Sequence, residues 1–195
     1  LGDLGVEPKV FDTAYDQDFF KRHKLGAGIH FDREIWGEKR MVPYDLGAFD
    51  DYIPVMPSRL SAEQAVDKMP ISAEAKKQFV GLLTTKDDRL SKIPKADKWD
   101  YLYNISYRDF LVKHLGISQA EVLAVLQDLT VDSGVGIDSI NAFNAMSYGG
   151  LPGWNATGLP ALESDEAYIH HFPDGNATIA RQLVRKMIPA VAPGE

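Results

Sequence analysis

Ile117-Ser118-Gln119-Ala120-Glu121-Val122, continuing as Leu123-Ala124-Val125-Leu126-Gln127-Asp128-Leu129, decides the fold class of this chain. Ser118 and Glu121 stand at the spacing of a capping box, in which a hydroxyl and a carboxylate serve each other's unpaired backbone N–H groups. Ile117 and Val122 occupy the two positions of a hydrophobic staple around them, and the pattern predicts a helix through about Leu129. Upstream, Ser106-Tyr107-Arg108-Asp109 opens a helix carrying Phe110, Leu111 and Val112 and stopping at Gly116. Trp99, Leu102, Tyr103 and Ile105 recur at roughly helical spacing before it. Ser72 caps a helix bearing Ala75, Phe79, Val80, Leu82 and Leu83, and Ser61-Ala62-Glu63-Gln64 has capping-box spacing for a shorter one ending before Pro70. Between them and Trp99, Lys86 to Lys98 forms a charged connector containing Pro94. Downstream, Ile137 to Met146 reads as a further helix closing at Gly149-Gly150.

The first third is different. Gly28-Ile29-His30-Phe31 and Lys39-Arg40-Met41-Val42 flank the turn-like Asp32 to Glu38, as in a two-stranded ribbon. Leu46 to Pro57, with Asp50-Asp51, two prolines and three aromatic or aliphatic anchors, fits a loop pinned to the surface of a core. The expected architecture is mainly α with a few short strands (α+β). Its parts are an irregular region with a short β-ribbon over 1–60, a helical domain over 61–160, and a turn and helix over 161–195.

Composition excludes several functions. The 195 residues are 45% hydrophobic and 25% charged, which is ordinary for a globular protein rather than a disordered one. A net charge of −7, with no basic stripe of Lys and Arg standing out, argues against nucleic acid as a partner. No run of 18 or more apolar residues is present, so no membrane span is expected. The absence of cysteine removes disulfides, thiolate nucleophiles and thiolate metal sites but leaves the compartment open, periplasmic or cytoplasmic in a bacterium. Because the sequence begins at Leu1, a processed or trimmed piece of something longer is expected.

Few constellations carry chemistry. Gly26-Ala27-Gly28 precedes a strand and lacks a third glycine; Gly134-Val135-Gly136-Ile137-Asp138-Ser139 opens a helix but ends in Ser, so neither makes a full phosphate loop. His170 and His171 are adjacent, so in an extended segment their imidazoles face opposite ways, and no further ligand lies at metal spacing. No metal site is expected; one imidazole facing a pocket and two structural histidines are both open readings. Ser147-Tyr148-Gly149-Gly150 is not a nucleophile elbow. Phe143, Tyr148, Gly149, Gly150, Pro152, Gly153 and Trp154 either pack a core or line a pocket for an apolar or cationic ligand, since ring faces attract ammonium groups.

Near the C-terminus, His170-His171-Phe172-Pro173-Asp174-Gly175-Asn176-Ala177-Thr178 forms a polar turn before an amphipathic helix. Ile179, Leu183, Val184, Met187 and Ile188 make the apolar stripe of that helix, leaving Arg181, Arg185 and Lys186 for solvent. Asp174, Asn176 and Thr178 are N-cap candidates, and Pro173 and Gly175 supply a fixed and a permissive φ. Backbone N–H groups at such a helix start favour an electron-rich ligand edge.

This turn, together with Tyr15-Asp16-Gln17-Asp18-Phe19-Phe20 and Ser133 to Ser139, resembles the middle of bacterial flavin-dependent spermidine dehydrogenases, within the wider flavin amine oxidase superfamily. The likeness runs over nearly the whole chain. The superfamily has a Pro-x-Gly-Gly turn close to the flavin ring; here Asn176 stands at the second glycine. The resemblance implies an FAD-dependent amine or polyamine dehydrogenase acting by hydride transfer from the carbon beside nitrogen. Pro173, Asp174, Gly175 and Asn176 would face the cofactor, and His171, Tyr148 and Trp154 a spermidine-like substrate, with no catalytic residue assigned. It further implies that FAD is mostly bound by segments absent from this chain, the remainder of a parent flavoenzyme to which the C-terminal helix leads back. The alternative from another class is a non-catalytic helical interaction or scaffold domain.

Overall fold

The computed structural model describes residues 2–7, 9, 11, 16, 18–46, 56–130, 133–161, 172 and 175–191. Among them the chain is mainly helical with one small two-stranded sheet. The helices are α1 (Phe19–Arg22), α2 (Arg33–Trp36), α3 (Ala62–Asp67), α4 (Ala73–Thr84), α5 (Lys98–Tyr103), α6 (Tyr107–Leu115), α7 (Ala120–Leu126), α8 (Ala142–Ser147) and α9 (Ala177–Met187). Short 3-10 turns lie at Gly2–Leu4, Lys95–Asp97 and Trp154–Ala156.

The ribbon forms where alternation placed it. Strands β1 (Ile29–Phe31) and β2 (Arg40–Val42) pair antiparallel with Ile29 opposite Val42 and Phe31 opposite Arg40. Ile29, Phe31 and Val42 turn inward while His30 and Met41 face out, the two-residue period of a half-buried strand. The connection is more ordered than a plain turn. Asp32 accepts a hydrogen bond from the Ile35 N–H at 2.8 Å and so caps α2, which ends at Gly37 with φ +77°. The Trp36 ring then folds back edge-on to Phe31 at 5.2 Å. A single hydrophobic core continues from Phe31 and Val42 through Phe79 and Leu111 to Leu126 and Leu151.

Helix ends carry much of the specification. The Ser61 capping box closes as its spacing predicts, Ser61 Oγ accepting from the Gln64 N–H and Gln64 Oε1 from the Ser61 N–H. The Ser118–Glu121 box does not. Helix α7 begins after Gln119, which makes no side-chain cap, and Gln78 of α4 supplies the acceptor instead. Gln78 Oε1 takes the N–H groups of Ser118 at 2.9 Å and Gln119 at 3.0 Å, and its amide nitrogen donates to Ser118 Oγ. Glu121 is used elsewhere: its carboxylate accepts both the N–H and the hydroxyl of Ser72, the N-cap of α4. Each of these two helices thus caps the start of the other, a tertiary solution that outcompetes the local one. Helix α7 also stops at Leu126, three residues before the expected end, although a turn continues through Leu129 N–H bonded to the Leu126 carbonyl.

The helix expected over Ile137 to Met146 starts five residues late. Asn141 is extended (φ −70°, ψ 154°) and caps Asn144 at 2.8 Å, so α8 runs only from Ala142 to Ser147. Residues 137–140 instead give carbonyls to the start of α6: Tyr107 N–H donates to Ile140 O and Arg108 N–H to Ile137 O, each at 2.9 Å. In return the Ala142 N–H at the start of α8 donates to Ile105 O at 2.8 Å. Ser106 and Asn141, the two N-caps, therefore face each other in an antiparallel bridge.

Replacing Gln78 by Ala strands two helix-start N–H groups and removes the donor to Ser118. The expected loss is about 1–2 kcal/mol, read as a lower urea midpoint with unchanged slope; an unshifted midpoint would show that water replaces the cap without penalty.

Candidate functional site

The α6–α8 bridge sets α5 beside α8, and aromatic rings converge there. Trp99 and Tyr103 are four residues apart on α5 and so share a face. Both meet Phe143 of α8, Tyr103 stacked on it at 4.3 Å between centroids and Trp99 tilted at 5.5 Å. Tyr148, at the C-cap of α8, approaches Phe143 edge-on at 6.4 Å, and Trp154 does so at 6.0 Å while lying 5.8 Å from Trp99. Phe143 is buried at the centre; around it Trp99, Tyr103 and Tyr148 are exposed, Tyr148 by 61%, and Trp154 is half-buried. Separations of this size with tilted or edge contacts suit aromatic quadrupoles. The rim rings are thus packed on Phe143 on one side and partly exposed to solvent.

Trp154 is held there by its backbone. The buried Tyr107 hydroxyl donates to Pro152 O at 2.7 Å, the Arg89 N–H to Ala156 O at 2.8 Å, and Lys98 Nζ to Thr157 O at 2.7 Å. Gly153, with φ +117°, lets the turn lie on the core, because a Cβ would stand 3.3 Å from the Phe110 ring and 3.4 Å from Met146 sulfur. The Trp154 indole N–H donates to Pro160 O at 2.9 Å. Burial pushes the Tyr107 phenol well above its ordinary range, so it stays a neutral donor.

Lys98 itself is only 3% exposed and pairs at 2.7 Å with Asp88, which lies at the surface, so the charged connector ends in a buried lysine that composition did not foretell. Hydrogen bonding from Lys98 holds the Asp88 carboxyl below the usual carboxylate range. Asp88 also accepts the Leu90 N–H at 2.9 Å and lies where a Cβ at Gly158 (φ +67°) would fall. On the other side of α6, Tyr101 and His114 share a 2.7 Å hydrogen bond, and burial followed by the Lys113 charge lowers the His114 imidazole.

Of the residues singled out from sequence, Tyr148 and Trp154 come together at Phe143; Trp99 and Tyr103 join them and were missed as site residues, though their four-residue spacing was visible. His171, Pro173 and Asp174 lie outside the described residues. Gly175 has φ +88°, its N–H donates to Phe172 O at 2.9 Å, and no atom lies within 4 Å of where its Cβ would be. Asn176 stands at the N-cap of α9 without a side-chain cap bond. Among the described residues no hydrogen bond or ring contact joins Gly175 or Asn176 to the aromatic cluster.

The glycine segments offer no cradle for a pyrophosphate. A Cβ at Gly136 would meet the Gln127 amide, which bonds Asp138 at 3.0 Å, and Gly26 and Gly28 press on the backbone of Met56 and Val42. Among the described residues none of these segments leaves room for a dinucleotide's pyrophosphate. A cleft of about 150 Å³ between α4 and Leu115–Ile117 carries Arg89 and Thr85 on its wall, well below the size of an ordinary ligand pocket. Among the described residues no group of three metal-ligating side chains gathers, and no helix is long and apolar enough to cross a membrane. Compared with models of known protein families and with curated proteins, the chain matches none.

Two outcomes are expected. Phe143→Ala should cost about 3–5 kcal/mol and collapse the near-ultraviolet circular dichroism of the packed indoles; retention of that signal would mean the rings do not depend on Phe143. For Asp88, the stabilisation is complete above the ordinary aspartate value of about 3.9 and drains as pH falls toward the lowered one. Acid titration of wild type and Asp88→Asn should therefore converge at low pH, and parallel curves would assign the acid limb to another group.

Proposed function

We propose that the chain is the helical, substrate-facing part of an FAD-dependent amine or polyamine dehydrogenase, with the aromatic cluster as the surface that receives the amine. The observation that carries this reading is the meeting of Tyr148 and Trp154, with Trp99 and Tyr103, around one buried ring. Ring faces attract alkylammonium groups. A polyamine carries more than one such group. Asp100, exposed beside Trp99 in α5, and the −7 net charge of the chain favour cations near this surface.

In that enzyme the flavin supplies the hydride acceptor. The residues of this chain bind and orient. Rim rings hold the ammonium end that does not react, while the turn from Pro173 to Asn176, open at Gly175, borders the ring edge. His171 faces the same substrate in this reading. Asn176 in place of a second glycine sets the closeness of approach. A fold of the flavin amine oxidase kind belongs to the same proposal.

A second reading, a non-catalytic helical interaction module, is favoured by one observation: α9 has no buried residue although its pattern is strongly amphipathic.

Spermidine added to the chain should quench indole emission saturably, and Trp99→Ala or Tyr148→Ala should weaken the apparent affinity about two- to thirtyfold. Lack of saturable quenching removes the cluster as an amine site. With the FAD-loaded enzyme, anaerobic spermidine should bleach the flavin; no bleaching by any amine leaves the interaction module standing.

A further inference from the structure

The cleft of about 150 Å³ lies where the second half of α4 passes the end of α6. Gln78, Gly81, Leu82 and Thr85 stand at i, i+3, i+4 and i+7, so one stripe of α4 and its C-cap forms the floor. Leu115 and Ile117 form the facing wall. Gln78 holds the two apart at a fixed distance, because its Oε1 takes the Ser118 and Gln119 N–H groups that follow that wall. Among the described residues Arg89 is the one charged member of the lining. Its N–H donates to Ala156 O at 2.8 Å and Leu90 after it is 1% exposed, so its backbone is anchored. Its guanidinium is lightly engaged: it meets Asp87 at 3.4 Å, between side chains 48% and 81% exposed, a pairing worth little in water. The half-buried Thr85 has no hydrogen-bond partner for its hydroxyl among the described residues.

Gly81 is the unexplained residue of the stripe. Glycine inside a helix costs stability relative to alanine. Here neither crowding nor a left-handed φ calls for it: the residue is helical, and no described atom lies within 4 Å of where its Cβ would stand. The space it leaves belongs to the cleft, and an occupant of that space accounts for the glycine. We infer that the cleft binds a short-chain aliphatic carboxylate. Its tail lies over Gly81 between Leu82 and the Leu115–Ile117 wall, and its carboxylate takes N–H groups of Arg89 and the Thr85 hydroxyl. Cavities of this volume hold molecules the size of benzene, which limits the tail to about four carbons. The C-terminus of α4 opposes an anion with roughly half an elementary charge, against the full charge of a guanidinium that matches a carboxylate bidentately. An ammonium in the same place would meet Arg89 as a like charge. The inference is independent of the amine reading, since no residue of this lining belongs to the aromatic cluster.

Titration of the full chain with sodium butyrate, followed by amide nitrogen–proton correlation spectra, tests it. The Gly81, Thr85 and Gly116 resonances should move saturably, in the millimolar range of so small a ligand, and sodium chloride at equal ionic strength should leave them in place. Butanol, which has the tail without the charge, should bind about tenfold more weakly, and Arg89→Gln should weaken butyrate by a similar factor. Gly81→Leu puts a side chain into the cleft and should abolish binding. Its thermal midpoint should stay at or above that of wild type, because leucine is the better helix former and its Cβ meets no described atom. No saturable shift, an equal response to chloride or butanol, or binding that survives Gly81→Leu overturns the proposal. Should Gly81→Leu lower the midpoint, Arg89→Gln, at an exposed position, decides alone, and unchanged butyrate affinity there overturns it.

Discussion

Two helix starts that satisfy each other fix the arrangement on which the rest depends. The first three N–H groups of α6 have no partners within the helix, and neither do those of α8. In α6 all three are placed: Tyr107 on Ile140 O, Arg108 on Ile137 O and Asp109 on the Ser106 hydroxyl. In α8, Ala142 is placed on Ile105 O and Asn144 on the Asn141 side chain. Each backbone bond adds about 1 kcal/mol net, whereas leaving a buried N–H unpaired costs more. That asymmetry makes the bridge selective. Sliding α8 along α6 by one residue would break both backbone bonds and bury donors without acceptors, and it would separate Phe143 from Trp99 and Tyr103.

The loop that delivers Trp154 is constrained by a second device. A buried lysine is costly unless its ammonium is paired and fully hydrogen-bonded. Lys98 meets that condition only because Asp88 and Thr157 O both approach within 2.7 Å. The pair thereby ties the connector before α5 to the segment after Trp154. Substituting Asp88 alone leaves the buried ammonium with only Thr157 O of these two partners, so the geometry is enforced by the penalty for breaking it more than by the strength of the attraction. Glycine at 158 follows from the same packing, since the Asp88 carboxylate occupies the space of a side chain there.

Sequence made visible what is local. The Ser61 box, the Ser72 and Ser106 caps, the Gly116 stop and the inward alternation of Ile29, Phe31 and Val42 all follow from residues within a few positions of one another. The Ser118 box had the same local signature and failed because Gln78, 40 residues away, supplied the acceptor. For the same reason the helix placed at Ile137 gave way: carbonyls there were required by α6. In the candidate site, Tyr148 and Trp154 were legible as aromatic residues beside glycines, but their common neighbour was not. Spacing shows that Trp99 and Tyr103 share a helix face; only the α6–α8 bridge determines that this face meets Phe143.

Helices α4 and α9 show where periodicity stops. Both carry apolar residues at helical spacing, and in α4 that stripe is consumed, Phe79 being fully buried and Leu82 3% exposed. In α9 the stripe is at least as regular, yet no residue is buried. Tethering explains the difference. Helix α4 is bound at both ends of its first two turns, by Glu121 at Ser72 and by Gln78 at Ser118, so its apolar face is pressed onto α7. Among the described elements α9 packs against the short turn Gly2–Leu4, which presents no buried side chain of its own. An apolar stripe therefore specifies a face that must leave water, and the polar contacts at helix ends determine which surface receives it. Where no such pair of contacts clamps a helix, as in α9, a regular stripe stays exposed.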